Sequence, residues 1–426
     1  MTKTCTNRPR SARACSRTVI ALGALMASTS ALGQTTQTGV IVSADAGAAV
    51  NPFLSDDESS NDIVGTFDLR VQPWLKLRTA RDEITVSAFA AVREYTSNFD
   101  LEDSEGAEIT YRSQRSGQLA LYGSAGITSS SARSIFPSGR AFPGVTDPIN
   151  PDDPTLPDPL QTAPDLIATD DDITLLGLNG RSTTIDVNSG LEYRIDGRSF
   201  VGTSLRYQNL SVSEDSLSGY DAVSATASYS RSVSARTKLG VLGGARFAEF
   251  DNGVSTDTYF GEAVVERQLN AEWTVSGSAG VFTVDTDAGG LFPDDSQTGI
   301  SASADLCSSR VDRQICFNAR RAPRPGSLGR VETLNAVGFS ASQRLSPDSR
   351  LGVSASYARS RSEFALDEDR RTLELVRVQA NYSRTLSQRL DGYVYAGVGR
   401  SYGDIFSNNL SANVGVGVSL RLGRNR

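Results

Sequence analysis

The last extended stretch of the chain, LSANVGVGVSLRL from Leu410 to Leu422, places an apolar residue at every second position. Leu410, Ala412, Val414, Val416, Val418, Leu420 and Leu422 alternate with Ser411, Asn413, Gly415, Gly417, Ser419 and Arg421. Successive side chains of a β-strand point to opposite faces, so this segment has one oily face and one polar face. A soluble sandwich buries the oily face, whereas a transmembrane barrel turns it outward to lipid. The remaining sequence has to choose between them.

The alternation recurs along the chain, as in Phe67, Leu69, Val71, Leu75, Leu77 and in Ile84, Val86, Ala88, Ala90, Val92, and again at Val201, Leu205, Tyr207. Six connecting segments also resemble one another: YRIDGRSF from Tyr193, SRSVSARTKL from Ser230, ERQLNAEW from Glu266, SQRLSPDSRL from Ser342, SRTLSQRL from Ser383 and, more loosely, LKLRTARDEI from Leu75. The five clear ones fall near Ile195, Val233, Leu269, Leu345 and Leu386, with gaps of 38, 36, 76 and 41 residues, and 76 is twice 38. A period near 38 suits two strands, a short turn and a longer loop, repeated around a sheet. Reading outward from the turns predicts strands over 38–50, 62–78, 83–95, 107–115, 117–128, 181–195, 198–212 and 219–232. A second set follows over 235–250, 256–269, 272–284, 332–346, 349–363, 371–386, 389–401 and 408–422. That is about 16 strands, an even number, with short and long connections alternating.

Even strand number, short turns at one end, long loops at the other and strands of dyad alternation describe outer-membrane barrels. The polar positions are Ser, Thr, Gly, Asn, Gln and Arg, a costly core for a soluble protein but an acceptable lining for a water-filled lumen. Trp74, Tyr95, Tyr193, Tyr207, Trp273, Tyr357 and Tyr382 collect near strand ends, where membrane interfaces favour aromatic girdles. The expectation is an all-β fold, a transmembrane antiparallel barrel of outer-membrane type, with the oily face outward and both termini periplasmic. A secreted adhesin fits less well, because solenoid repeats run shorter and sandwich cores are richer in Leu, Ile and Phe.

The N-terminus agrees with export. Lys3, Arg8, Arg10, Arg13 and Arg17 precede the apolar run VIALGALMA, and Ala31 and Gly33 stand just ahead of Gln34. This is the layout of a secretory signal peptide over 1–33, leaving a barrel over 34–426. Cys5 and Cys15 lie before the apolar run and would leave with the signal. Elsewhere no apolar run approaches the roughly 20 residues of a membrane helix, and mean hydropathy is −0.26. Losing the five basic residues would carry the net charge from −7 to −12, which disfavours nucleic acid as a partner. The chain ends RLGRNR rather than on an aromatic residue. The barrel-assembly machinery would then read a degenerate signal, or one upstream of Leu422.

Residues 43–77, SADAGAAVNPFLSDDESSNDIVGTFDLRVQPWLKL, resemble the proteobacterial outer-membrane β-barrel porin family often encoded near exopolysaccharide genes. The matching features are a first strand, NPF with an acidic loop, a strand ending in apolar-x-Pro-x-apolar from Val71 to Leu75, and a following strand that closes on REY from Arg93 to Tyr95. The similarity is clear over about the first hundred residues of the expected mature chain and general in pattern beyond. It implies an outer-membrane barrel and brings no defined solute.

The chain is not expected to be an enzyme. The sequence contains no histidine, the side chain that barrel hydrolases use as general base near neutral pH. Asp170, Asp171 and Asp172 are adjacent, but a run of acids in a loop is ordinarily a solvated face. No cofactor and no metal site is expected.

Two long outer loops are expected, over about 129–180 and 285–331. The first is rich in Pro and Asp and carries Asp147, Asp152, Asp153, Asp158, Asp165, Asp170, Asp171 and Asp172. It reads either as a surface loop or as a constriction loop folded into the lumen. The second contains Arg310, Arg313, Arg320, Arg321 and Arg324 together with Cys307 and Cys316. In an oxidising compartment the two cysteines are expected to close a local disulfide that pins the loop. The basic run would solubilise this loop, or touch lipopolysaccharide or polysaccharide. On the polar face of the strands, Arg70, Lys76, Arg93, Arg206, Arg246, Arg377 and Arg421 are candidate pore-lining residues. Facing an acidic loop they would select ions; paired with neighbouring carboxylates they would stiffen the wall. The expected function is passive passage of small hydrophilic solutes or ions, with a polysaccharide-export accessory and a plugged structural or adhesive barrel as alternatives. Expected partners are outer-membrane lipid and lipopolysaccharide, the assembly machinery, polysaccharide and further copies of the chain.

Overall fold

A computed structural model describes residues 35–54, 62–97, 99–131, 175, 180–214, 217–287, 295–362, 372–403 and 409–425. Eighteen strands run in chain order: β1 (Thr35–Val50), β2 (Ile63–Arg78), β3 (Asp82–Tyr95), β4 (Glu102–Gln114), β5 (Leu119–Ser130), β6 (Ser182–Arg194), β7 (Ser199–Val212), β8 (Tyr220–Ser234) and β9 (Thr237–Phe250). They continue with β10 (Ser255–Gln268), β11 (Trp273–Asp287), β12 (Asp295–Ser309), β13 (Arg313–Gly326), β14 (Arg330–Ser346), β15 (Ser349–Ser362), β16 (Thr372–Ser387), β17 (Leu390–Gly403) and β18 (Leu410–Asn425). Each pairs antiparallel with its sequence neighbours, and β1 pairs with β18 from Gln37↔Asn425 to Val50↔Ala412, closing the sheet into a barrel. Closure removes both sheet edges, so every strand has a backbone partner on each side.

Sixteen of the strands match the expected ones, though β4 begins five residues earlier than the alternation indicated. The strand number is corrected from 16 to 18 by β12 and β13, which occupy a stretch expected to be an outer loop over 285–331. Their signal is weak for a physical reason. The outward positions of β12 are Ile300, Ala302, Ala304 and Leu306, and β13 ends in ARRAPRPG. Small residues carry little apolar contrast, and prolines ordinarily interrupt a sheet. Here β13 parts from β12 beyond Ala302↔Arg321, so Pro323 and Pro325 lie where one side of the strand has no ladder to serve.

At one end the connections span only two to four residues, from 235–236 to 195–198; at the other they reach fifty-one, over 131–181. We refer to these as the turn end and the loop end. Local chemistry sets the turns. Thr79 Oγ1 accepts from the Asp82 amide at 2.8 Å, and Asn270 Oδ1 accepts from the Glu272 and Trp273 amides at 2.9 Å each. Asp196 accepts from the Arg198 and Ser199 amides at 2.7 Å each. Such side-chain caps replace the backbone bonds a tight turn gives up. The amide of Arg198, aided by that of Ser199, holds the Asp196 carboxyl below its ordinary pKa.

The oily faces are exposed, among them Val414, Val416, Val418, Phe67, Leu205, Val241 and Val281. The register carries this orientation from strand to strand: Val42 opposes Leu420 and Val71, and Leu69 opposes Val92. An exposed apolar belt around a closed barrel is what lipid contact requires and what water would penalise. The polar faces therefore look inward.

Candidate functional site in the barrel lumen

Arg70, Lys76, Arg93, Arg206, Arg246, Arg377 and Arg421 all occupy register positions on the inward face. Four meet a carboxylate on an adjacent strand. Lys76 Nζ lies 3.0 Å from Glu83, Arg206 Nε 2.7 Å from Asp186, and Arg421 Nη2 3.0 Å from Asp391. Arg93 donates through Nε to both oxygens of Asp68 at 2.9 Å, and its Nη1 lies 3.7 Å from Glu102. The Arg70 guanidinium stacks over Phe89, 4.3 Å from the ring centre. Arg246 Nη1 donates to the Pro323 carbonyl at 3.4 Å.

The Arg93 group is the most enclosed part of the wall. Arg93, Asp68 and Glu102 are each buried, and Tyr95 donates to Glu102 at 3.0 Å. Next to them Asp45 stands opposite Asp68 in the β1–β2 ladder. It accepts from Tyr393 at 3.2 Å and from Tyr395 at 2.6 Å, both on β17. The tyrosines reach β1 by crossing β18 over Gly417 and Gly415, where a Cβ would overlap the Tyr393 and Tyr395 rings. The glycines of the terminal VGVGV thus have a structural cause: the inward face of β18 is a floor on which two aromatic rings lie. The tyrosine–aspartate contacts were not legible in the sequence, because partners some 350 residues apart leave no periodic trace.

The lumen also holds a part of the wall itself. Beyond Arg321 the β13–β14 hairpin leaves the barrel and folds inward across β9 to β11. Val331 packs on Phe282 and Val284, inward residues of β11, with Phe260 of β10 beside them. The hairpin tip is tied to loops farther round the rim. Ser218 donates its amide to the Ser327 carbonyl at 2.8 Å, and Asn252 Nδ2 donates to the Gly329 carbonyl at 3.1 Å. Gly329 has φ +78° and lies against Asn252 and Ser218, so both its backbone and its space favour glycine. Arg324 and Glu332 face each other across the hairpin and are buried, and Ser360 donates to Glu332. Arg321 Nε donates to the carbonyl of Ile300 on β12 at 3.1 Å, where that strand has lost its neighbour.

The residues Asp147, Asp152, Asp153, Asp158, Asp165, Asp170, Asp171 and Asp172 lie outside the described residues. Leu175, in the same connection, is described, and it is buried against Leu210, Tyr220, Ala222, Ala248 and Phe250. All five hold inward positions on β7, β8 and β9. The loop-end mouth therefore receives side chains from two connections.

Cys307 and Cys316 are bonded and directly opposite in the β12–β13 ladder, with Cα atoms 4.2 Å apart. The bond is a cross-strand staple at the turn end, beside the turn over 310–312, and not a clasp in an outer loop. Among the described residues no cluster of acids and cysteines is arranged to hold a metal ion.

No family model and no curated protein matches the chain. Among solved structures it is similar to OccK2 (OpdF) of Pseudomonas aeruginosa, at 10% identity over 92% of this chain and 98% of that one, with a TM-score of 0.45. OpdK of the same organism, solved with vanillate, matches at 9% identity over 91% of this chain and 99% of that one, TM-score 0.43. The FrpB iron transporter of Neisseria meningitidis (F3-3 variant) matches at 9% identity, TM-score 0.44, over 86% of this chain and 62% of that one. The chain thus spans less than two thirds of that transporter.

Proposed function

We propose that the protein is a passive outer-membrane channel for small hydrophilic solutes or ions, narrowed at the loop end by the inward-folded β13–β14 hairpin. The carrying observation is the hairpin's position: Val331 seated on Phe282 and Val284 puts part of β14 on the lumenal side of β11. A barrel with an apolar exterior, a charged interior and an element folded into its mouth has the parts of a size-limited pore. Leu175 on the inner faces of β7 to β9 supports a second contribution from the 131–181 connection. The acidic segment 147–172 would then stand at the same constriction. The basic, apolar and small-residue succession over 1–33 supports export to that membrane.

Because Lys76, Arg206 and Arg421 each meet one carboxylate, the wall at those positions is close to charge-balanced, and Arg93 is enclosed by its own carboxylates. Ion preference then rests on the mouth rather than on the strands. A mouth partly filled by a hairpin favours small solutes over a polymer chain, and polysaccharide export has only the sequence resemblance behind it.

Planar-bilayer recording tests the reading. The full-length protein should give stepwise conductance. A variant with residues 324–332 replaced by an Asn-Gly turn, which keeps the Pro323↔Thr333 register, should give larger steps. Absence of steps from both proteins would favour a plugged barrel; equal steps would remove the hairpin from the constriction.

A further inference from the structure

The turn end carries a repeated pattern that conduction leaves unused. Three β-bulges stand there, and each inserts an aliphatic residue: Val233, Leu345 and Leu386. Ile195 and Leu269 hold the same place in four-residue turns, and all five are 48–57% exposed. A bulge re-aims one side chain out of the ladder, so the fold presents these residues repeatedly at the edge of the apolar belt. Each has an arginine within three residues. Arg198, Arg236, Arg267, Arg384 and Arg389 are exposed, and none makes an ion pair with another described residue; Arg344 holds an inward register position opposite Arg350. The columns above them end in interfacial aromatics, as where Tyr229 precedes Arg231 and Tyr382 precedes Arg384 on the outward face.

On β8 to β11 the opposite rim differs in sign. On the outward face near the loop end, Asp221 stands opposite Glu249 and Asp257 opposite Asp285. Anions are disfavoured there and favoured at the turn end. A soluble anion would need the arginines but not the exposed aliphatic residues between them. A phospholipid needs both, since its phosphate lies just above the start of its acyl chains.

We propose that the turn end is a binding belt for anionic phospholipid headgroups of the leaflet it meets. The bulge and turn aliphatics enter the acyl boundary, and the flanking guanidiniums take the phosphodiesters. The inference rests on the membrane-barrel fold and not on conduction. Basic residues at a membrane surface each favour anionic lipid by about fivefold, so removing three should weaken retention more than tenfold.

Native mass spectrometry of the full-length protein in non-ionic detergent reads the outcome, with phosphatidylglycerol, phosphatidylcholine or inorganic phosphate added. The wild type should retain phosphatidylglycerol in preference to phosphatidylcholine. The variant Arg267→Gln/Arg384→Gln/Arg389→Gln should lose that preference. A loop-end control, Arg359→Gln/Arg400→Gln, should keep it. Equal retention of the two lipids, an unchanged triple variant, or loss in the control would each overturn the belt. Displacement of lipid by millimolar phosphate would also overturn it, as the mark of a simple anion site. Should the triple variant fail to assemble, the wild type decides: salt must reduce phosphatidylglycerol retention and leave phosphatidylcholine unaffected, and salt-insensitive retention refutes the proposal.

Discussion

Replacing Arg93 by leucine should destabilise the barrel by about 3–5 kcal/mol, the usual cost of breaking a buried ion pair from one side. The structure explains why this site belongs at that end of the range of ion-pair effects. The Arg93 side chain is 7% exposed, Asp68 3% and Glu102 6%. Arg93 contacts two carboxylates, at 2.9 and 3.7 Å, and a third, Asp45, adjoins Asp68 in the ladder. At an effective dielectric near 20, a unit pair 4 Å apart is worth roughly 4 kcal/mol before desolvation is subtracted. Leucine fills much of the volume but leaves Asp68 without the Nε–H that both of its oxygens share. The double variant Arg93→Leu/Asp68→Leu should recover at least half of the loss, because Glu102 keeps its bond from Tyr95. Urea unfolding from lipid vesicles, followed by tryptophan fluorescence and by the heat-modifiable gel band, measures both. A loss below about 1 kcal/mol in the single variant, or a double variant no more stable than the single, would refute the reasoning.

Three further outcomes are expected. Cys307→Ser should assemble normally and lose no more than about 2–3 kcal/mol, since the closed loop is short and the ladder around it is complete; failure to reach the outer membrane would contradict this. Asp196, with its carboxyl held low by the Arg198 and Ser199 amides, should stabilise its turn at pH values above the ordinary carboxylate pKa and lose that effect as pH falls through its own lowered value. The stability gap between wild type and Asp196→Ala should therefore close on acidification below about pH 4, and a gap that widens there would reverse the sign of the argument. Deleting residues 147–172 should raise single-channel conductance and shift selectivity away from cations, and an assembled mutant with unchanged amplitude and selectivity would place that segment outside the pore.

Much of the wall was readable before any contact was known. The alternation of Val414, Val416 and Val418 with glycine, and aromatic residues such as Tyr193 and Tyr207 at strand ends, assigned sides to most strands. Trp74 and Tyr95, expected in the interfacial girdle, instead hold inward positions, because Trp74 lies over Gly39 and Tyr95 bonds Glu102. The inward positions of Arg70, Lys76, Arg93, Arg206, Arg246, Arg377 and Arg421 follow from the same period of two. The 76-residue gap between the turns near Leu269 and Leu345 already spans the turn at 310–312, but the alternation inside it was too faint to show two strands. Alanine, serine and paired arginines on β12 and β13 do not separate an oily face from a wet one.

A strand's facing is a local property, set by the alternation of neighbouring side chains, and so the amino-acid sequence by itself determined a barrel with its apolar side turned to lipid. Where the chain folds back into its own lumen is not local. Arg246 meets Pro323 and Asn252 meets Gly329 at separations of 77 residues, and Tyr395 meets Asp45 at 350. Closure of β1 on β18 brings Tyr395 to Asp45, and the return of the β13–β14 hairpin over β9 to β11 makes the other two contacts. The inward-folded hairpin and the buried carboxylate wall were therefore decided by tertiary structure, because their energy lies in contacts that do not exist until distant strands have come together.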